Sequence, residues 1–209
     1  MNLDRRAMEK EMQQAGRLPP GQALTVKFPV LHYGAVPAFD ESTWRLRIWG
    51  AVDHEVQLTW QAFNALPKVR LTMDLHCVTK WSKFDTTWEG VYLATLLQEI
   101  GMTVLPQANY VIQHAPEGYT TNLPVRIALA ENFLLATGFE GQPLSPEHGY
   151  PLRGVLGAIP GRKDLKDIYL WKGAKWLNGL EFSTQDQPGF WEQAGYHNEG
   201  EVWLEQRAA

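Results

Sequence analysis

Apolar and polar residues alternate at two different periods along this chain, and each change of period marks an element. From Val69 to His76, the residues Val69, Leu71, Met73 and Leu75 alternate with Arg70, Thr72, Asp74 and His76. A period of two is the signature of a half-buried strand. Residues 44–50 alternate in the same way, and Gly50 starts a turn towards a return strand at 56–58. Further strands are predicted at Tyr110–His114, Phe133–Phe139 and residues 177–182, with a turn and a short strand up to Leu144. Residues 91–100 change to helical spacing. Leu93, Leu96, Leu97 and Ile100 form one stripe, and Gly101 is placed as the C-cap. Thr59 is placed to cap a short helix that Pro67 ends, and Asp4 to cap a charged helix that stops before Pro19. Residues 27–37 hold two prolines and a glycine and read as an irregular extended segment, and residues 118–124 read as a loop.

Composition narrows the function classes. The 209 residues are 44% apolar and 20% charged, which suits a globular chain with one sizeable core. A net charge of −4 and the lack of any basic block argue against nucleic acid as a partner. There is no run of eighteen apolar residues, so no membrane span is expected. Arg5-Arg6 is followed by a charged stretch with no apolar region, which is not a targeting peptide, so the expected location is the cytoplasm. The expected organisation is an N-terminal helical arm over residues 1–21 and a single domain over residues 22–209.

The single cysteine, Cys77, lies at the C-terminal end of the first strand described above. Alone it cannot close an internal disulfide, and it supplies only one of the four ligands a structural zinc needs. Free cysteines are most often small buried hydrophobes. His76, Lys80, Trp81 and Trp88 surround this one in sequence and point towards a nucleophile or a soft-metal ligand.

The run Asp74-Leu-His-Cys-Val-Thr-Lys-Trp-Ser82, followed by Trp88-Glu-Gly-Val91, resembles the cysteine segment of the sulfite oxidase family of molybdopterin enzymes, above all its small bacterial members. The resemblance implies that the Cys77 thiolate is a direct ligand of molybdenum. It extends, in chain order, over residues 28–198. His32 and Tyr33 match a segment that lies against the pterin. His148-Gly-Tyr-Pro-Leu-Arg153 matches a His-Gly-x-Pro-x-Arg motif whose histidine and arginine bind the pyranopterin and its phosphate. Gly173-Ala174-Lys175 matches a third cofactor segment. An arginine fork and a lysine suit phosphate oxygens, and small residues let backbone amides approach an anion. His114 is a further candidate for cofactor contact. The implied fold is α+β, with mixed β-sheets and short helices. The implied cofactor is molybdenum-molybdopterin without haem, since no haem-attachment motif occurs. Residues 154–167 are longer and more charged than the family pattern and are expected to form a surface loop.

Three function classes remain open. The first is a molybdopterin oxidoreductase. The second is a hydrolase pairing Cys77 with His76, His32, His114 or His148, although adjacent His76 points away from Cys77 if both lie on a strand. The third is a non-catalytic aromatic binding module, suggested by nine tryptophans. The first class requires a small-molecule substrate and a separate electron-transfer partner, because no haem, flavin or iron–sulfur motif is present. Family sulfite oxidases hold their anion with arginines shortly after the cysteine, whereas this chain has Val78-Thr-Lys-Trp-Ser82. Oxygen-atom transfer to or from a neutral or less charged S- or N-oxide is therefore expected, with Lys80 and Trp81 near the pocket mouth.

Overall fold

A computed structural model describes residues 2–209. In chain order the strands are β1 (Ala23–Leu24), β2 (Arg45–Gly50), β3 (Val56–Thr59), β4 (Val69–His76), β5 (Trp81–Tyr92), β6 (Tyr110–His114), β7 (Thr120–Pro124), β8 (Phe133–Phe139), β9 (Gln142–Pro143), β10 (Arg153–Leu156) and β11 (Gly179–Ser183). The helices are α1 (Asn2–Gln14), α2 (Trp60–Asn64), α3 (Leu93–Glu99), α4 (Val125–Ala128) and α5 (Phe190–Gln193). One sheet runs β1-β5-β8-β10, with β4 paired to β5 and β9 to β8; the other runs β3-β2-β11-β6-β7. Both sheets mix parallel and antiparallel pairs, because β1 joins β5 and β11 joins β2 in parallel. This is the α+β architecture expected from the sequence.

One core joins the two sheets. Leu46, Ile48, Leu180 and Phe182 of the second sheet pack in the same cluster as Val91, Phe133, Leu135 and Leu156 of the first and the α3 leucines. Strand β2 shows the alternation most clearly, with Leu46 and Ile48 fully buried and Arg45 and Arg47 exposed. Thr59 caps α2 as expected, its hydroxyl accepting the Ala62 amide at 3.2 Å. Gly101, at φ +66°, follows the end of α3 in the left-handed conformation that a C-terminal stop requires.

The structure departs from the sequence reading in four places. Helix α1 begins at Asn2, so Asp4 lies inside its first turn rather than capping it. Strand β4 alternates only in its first half, and beyond Met73 every residue is buried. Arg17, following α1, covers its end with Nε and Nη2 on the two oxygens of Asp74 at 2.8 and 2.7 Å. Residues 120–124, read as loop, form β7 against β6. Residues 153–156, counted partly into a surface loop, form the fully buried strand β10.

Candidate active site

Strand β4 ends at His76, and the chain then turns tightly through Cys77 to Lys80 before entering β5. The Lys80 amide donates to the Cys77 carbonyl at 3.0 Å, and the Cys77 amide to the Trp81 carbonyl at 2.9 Å. Lys80 closes the turn at φ +68°, a left-handed position. The Cys77 thiol is 6% exposed and 3.1 Å from the Thr79 hydroxyl. Burial pushes this thiol up from its ordinary pKa, and the Thr79 hydrogen bond partly opposes that. His76 is the last residue of β4 and Cys77 lies beyond the strand. The His76 ring is buried, with Nδ1 2.8 Å from the Ser82 hydroxyl and Nε2 without a partner.

Cys77 opens into a cavity of about 260 Å³. Of the residues anticipated at the site, Cys77, His32, Tyr33, Trp81, Arg153, Gly173 and Lys175 line it. Lys80, Ala174, His148 and His114 do not. Lys80 is exposed, because its left-handed position turns it out of the strand pairing. Ala174 is fully buried, and its amide donates to Gln113 Oε1 at 3.0 Å, so that amide is not available to an anion. His148 sits behind the wall, its ring stacked at 4.0 Å on Phe28, which does line the cavity. His114 lies elsewhere, 2.9 Å from Glu181 on the second sheet.

Arg153 begins β10 and is 2% exposed, yet among the described residues no carboxylate pairs with it. Its Nε donates to the Gly154 carbonyl and Nη1 to the His148 carbonyl, each at 3.1 Å. Burial lowers its pKa to about 10, which still leaves it charged at neutral pH. Lys175 is lowered to about 7 by burial and then by Arg153, and its Nζ donates to the Glu147 carbonyl at 2.6 Å. The same burial, with the charges of Lys175 and Arg153, lowers His148 to about 4 and keeps it neutral. A buried cation without a counter-ion is costly unless an anion arrives. The cavity therefore suits a phosphate-bearing group, and the buried, unpartnered indole N–H groups of Trp81 and Trp171 add two donors in its wall.

The wall is built by long-range tethers. Gln113 of β6 holds the segment 170–175, its Nε2 donating to the Lys172 carbonyl at 2.7 Å while Oε1 takes the Ala174 amide. Gly173 and Gly154 pack backbone to backbone, and a Cβ on Gly173 would run into the Gly154 carbonyl. The sequence reading missed Phe28, Tyr119, Trp171, Trp176, Trp191 and Tyr196, all of which line the cavity. For Trp191 and Tyr196 there was a signal, the density of aromatics in residues 187–198. Burial raises the Tyr119 hydroxyl far above its ordinary pKa, so it remains a proton donor.

The description "Oxidoreductase molybdopterin binding domain" matches residues 33–191. The chain is 45% identical to an uncharacterized oxidoreductase, YuiH, of Bacillus subtilis, over 95% of each protein. It is 28% identical to a putative protein-methionine-sulfoxide reductase subunit, YedZ1, of Azospira oryzae, over 88% of this chain and 67% of that one. Mouse mitochondrial sulfite oxidase is 24% identical, and there the match spans only 33% of the longer protein. The crystal structure of the sulfane dehydrogenase SoxCD from Paracoccus pantotrophus shares the fold with a TM-score of 0.61, at 19% identity over 74% of this chain and 41% of that one. Domain match, close relative and shared fold agree with the cysteine turn and its cation-bearing cavity: the chain is an oxidoreductase of the sulfite oxidase-like molybdopterin-binding family.

Proposed function

We propose that the cavity holds one molybdenum–pyranopterin, with the Cys77 thiolate on the metal and Arg153 and Lys175 on the pterin phosphate. His32, Tyr33 and Gly173 line the group, and His148 supports Arg153 and Phe28 from behind. Residues 22–209 act as the catalytic domain, and residues 1–21 as an arm docked on it. The observation that carries this reading is Arg153, a charged guanidinium buried in the wall of the same cavity as the cysteine, with no carboxylate partner among the described residues. The bound group supplies a centre for two-electron oxygen-atom transfer. An external carrier must exchange those electrons, since this chain's own side chains cannot store them.

The substrate follows from what the cations leave free. Arg153 and Lys175 are the only Arg or Lys lining the cavity among the described residues, and the phosphate takes both. What remains is chiefly aromatic: Trp81, Trp171, Trp176, Trp191, Tyr119 and Tyr196. Such a wall excludes water and offers neutral N–H and O–H donors, which suit the oxygen of an uncharged S- or N-oxide better than sulfite. The methionine-sulfoxide name of the Azospira relative points the same way. The test is metal and pterin analysis of protein made with molybdate in a cofactor-competent host, followed by assays with sulfoxides plus a reduced dye and with sulfite. Molybdenum near one per chain and faster sulfoxide turnover are expected. Molybdenum far below one per chain refutes the cofactor, and efficient sulfite oxidation refutes the substrate class.

A further inference from the structure

The cysteine turn is held from both ends of the chain. Gln22, 9% exposed, donates from Nε2 to the Cys77 carbonyl at 3.0 Å. Arg207, two residues from the C-terminal Ala209, donates from Nη1 to the Val78 carbonyl at 3.0 Å and from Nη2 to the Pro20 carbonyl at 3.3 Å. The Arg207 guanidinium lies over the ring of Tyr169, which is fully buried, at 5.1 Å from its centroid. Beside the turn, residues 23–24 pair in parallel with 81–82, and the Ala23 amide donates to the Lys80 carbonyl at 3.0 Å. Gln22 and Arg207 both fall outside residues 33–191, the span of the domain match. Neither lines the cavity. No turn of this length can fix its own carbonyls beyond the one bond that closes it. Here the Cys77 carbonyl, which already accepts that closing bond from the Lys80 amide, takes a second one, and the Val78 carbonyl is bound as well, by side chains more than fifty and more than a hundred residues away.

We propose that Gln22 and Arg207 are positioning residues for Cys77, clamping the Cys77 and Val78 carbonyls so that the sulfur meets the cofactor in one orientation. The proposal rests on the reading of Cys77 as a molybdenum ligand. A metal–thiolate bond is sensitive to the torsion about the cysteine, which the backbone of the turn sets, and groups that orient a ligand are worth about 10- to 100-fold in activity or affinity. Arg207 also ties the turn to Pro20, so the clamp closes the N-terminal stretch, the cysteine turn and the C-terminus into one unit.

The test uses the molybdenum-loaded full chain with Gln22→Met, which keeps the length and removes the donor, with Arg207→Ala, with Arg207→Lys, and with the double variant Gln22→Met/Arg207→Ala. Molybdenum content, the Mo(V) electron paramagnetic resonance spectrum, kcat and KM are read for each, with thermal unfolding alongside. The expected result is a shifted Mo(V) spectrum and a kcat lowered about 10- to 100-fold in the double variant, with KM near wild type. Arg207→Lys, which keeps a charged donor but not the fork, should recover part of the spectrum and rate. If Arg207→Ala does not fold, Gln22→Met and Arg207→Lys carry the same comparison. A wild-type Mo(V) spectrum and kcat in folded, loaded variants, even with lowered thermal stability, would reduce the clamp to a structural brace and overturn the proposal. Wild-type protein without molybdenum would instead overturn the cofactor reading on which it stands.

Discussion

Lys172 is the most demanding side chain in the fold, and replacing it tests how the aromatic wall of the cavity is held. It lies between Trp171 and Gly173, which both line the cavity, and its side chain is 1% exposed, as is that of its partner Glu192 in α5. Its three protons have three acceptors: Glu192 Oε1 at 2.7 Å, the Asn198 carbonyl at 2.7 Å, and Asn122 Oδ1. Glu192 Oε1 also accepts the Thr121 hydroxyl at 2.9 Å, whereas Oε2 is buried with no partner. Lys172→Met removes the charge that this carboxylate depends on. Breaking one side of a buried pair costs about 3–5 kcal/mol, because the other charge is left uncompensated. For a chain of this size each kcal/mol moves Tm by about 2–4 °C, so a fall of about 6–20 °C is expected.

The control is the double variant Lys172→Met/Glu192→Leu. With both charges gone the penalty of a stranded carboxylate disappears, and the double variant should be more stable than Lys172→Met alone. Thermal and urea unfolding of apoprotein, followed by far-ultraviolet circular dichroism, measure both quantities. A Lys172→Met loss below about 1 kcal/mol, or a double variant no more stable than Lys172→Met, would refute the reasoning. Either result would mean that water reaches Glu192 and that residues 186–198 are not anchored through this pair.

Removing Arg153 or Lys175 should strip cofactor rather than unfold the chain. A charged hydrogen bond worth about 1.5–3 kcal/mol corresponds to about 10- to 150-fold in affinity, so Arg153→Ala and Lys175→Ala should emerge depleted in molybdenum and pterin, and full retention in the double variant would move the phosphate elsewhere. Cys77→Ser should keep the unfolding midpoint within about 0.5–1 kcal/mol of wild type and lose turnover, and an active Cys77→Ala protein would exclude the thiolate as a ligand. Stability should fall on acidification because burial lowers His76 to about 3, so the unfolded chain takes up the proton first, near pH 6.5, and the folded chain resists until about pH 3. The slope from His76 approaches about 1.4 kcal/mol per pH unit inside that window, His148, lowered to about 4, adds its own, and His76→Gln should reduce the total without abolishing it in urea unfolding measured between pH 7 and 4.5. Gly173→Ala should cost about 1–3 kcal/mol, since the added methyl meets the Gly154 backbone, and an unchanged Tm would show that the loop yields.

The elements legible in the sequence are those whose signal is local. The alternation of β2, the Thr59 cap and the α3 stripe each depend on neighbours within one element, and each occurs where the pattern puts it. Strand β7 was not legible, because Thr121 and Asn122 are polar and yet buried. Their burial is sustained by Glu192, Asp186 and Asn198, more than sixty residues on, and no window of the sequence contains those partners. Lys80 failed for a different reason. Proximity to Cys77 along the chain suggested proximity to the chemistry, but a left-handed residue at the end of a tight turn carries its side chain away from the strand face. Ala174 lies in the expected segment, but Gln113 has already taken its amide.

The same distinction explains how the cavity combines motif residues with unforeseen ones. The cysteine turn, Arg153 and the 173–175 segment sit on different strands and loops, and one backbone bond, from the Gly154 amide to the Ala174 carbonyl at 2.8 Å, ties the last two together. Spacing comes from groups with no chemistry of their own: Gln113 fastens residues 172–174 to β6, Gly154 and Gly173 let β10 approach that segment, and the Lys172–Glu192 pair brings Trp191 and Tyr196 against Trp171. Trp191 stacks on Tyr196 at 5.2 Å, and Tyr196 meets Trp171 edge-on at 5.3 Å, so the tail's aromatics are positioned by a buried charge rather than by the motif. Substrate preference in this chain should therefore respond to changes in residues 186–198 that leave every cofactor-facing residue intact.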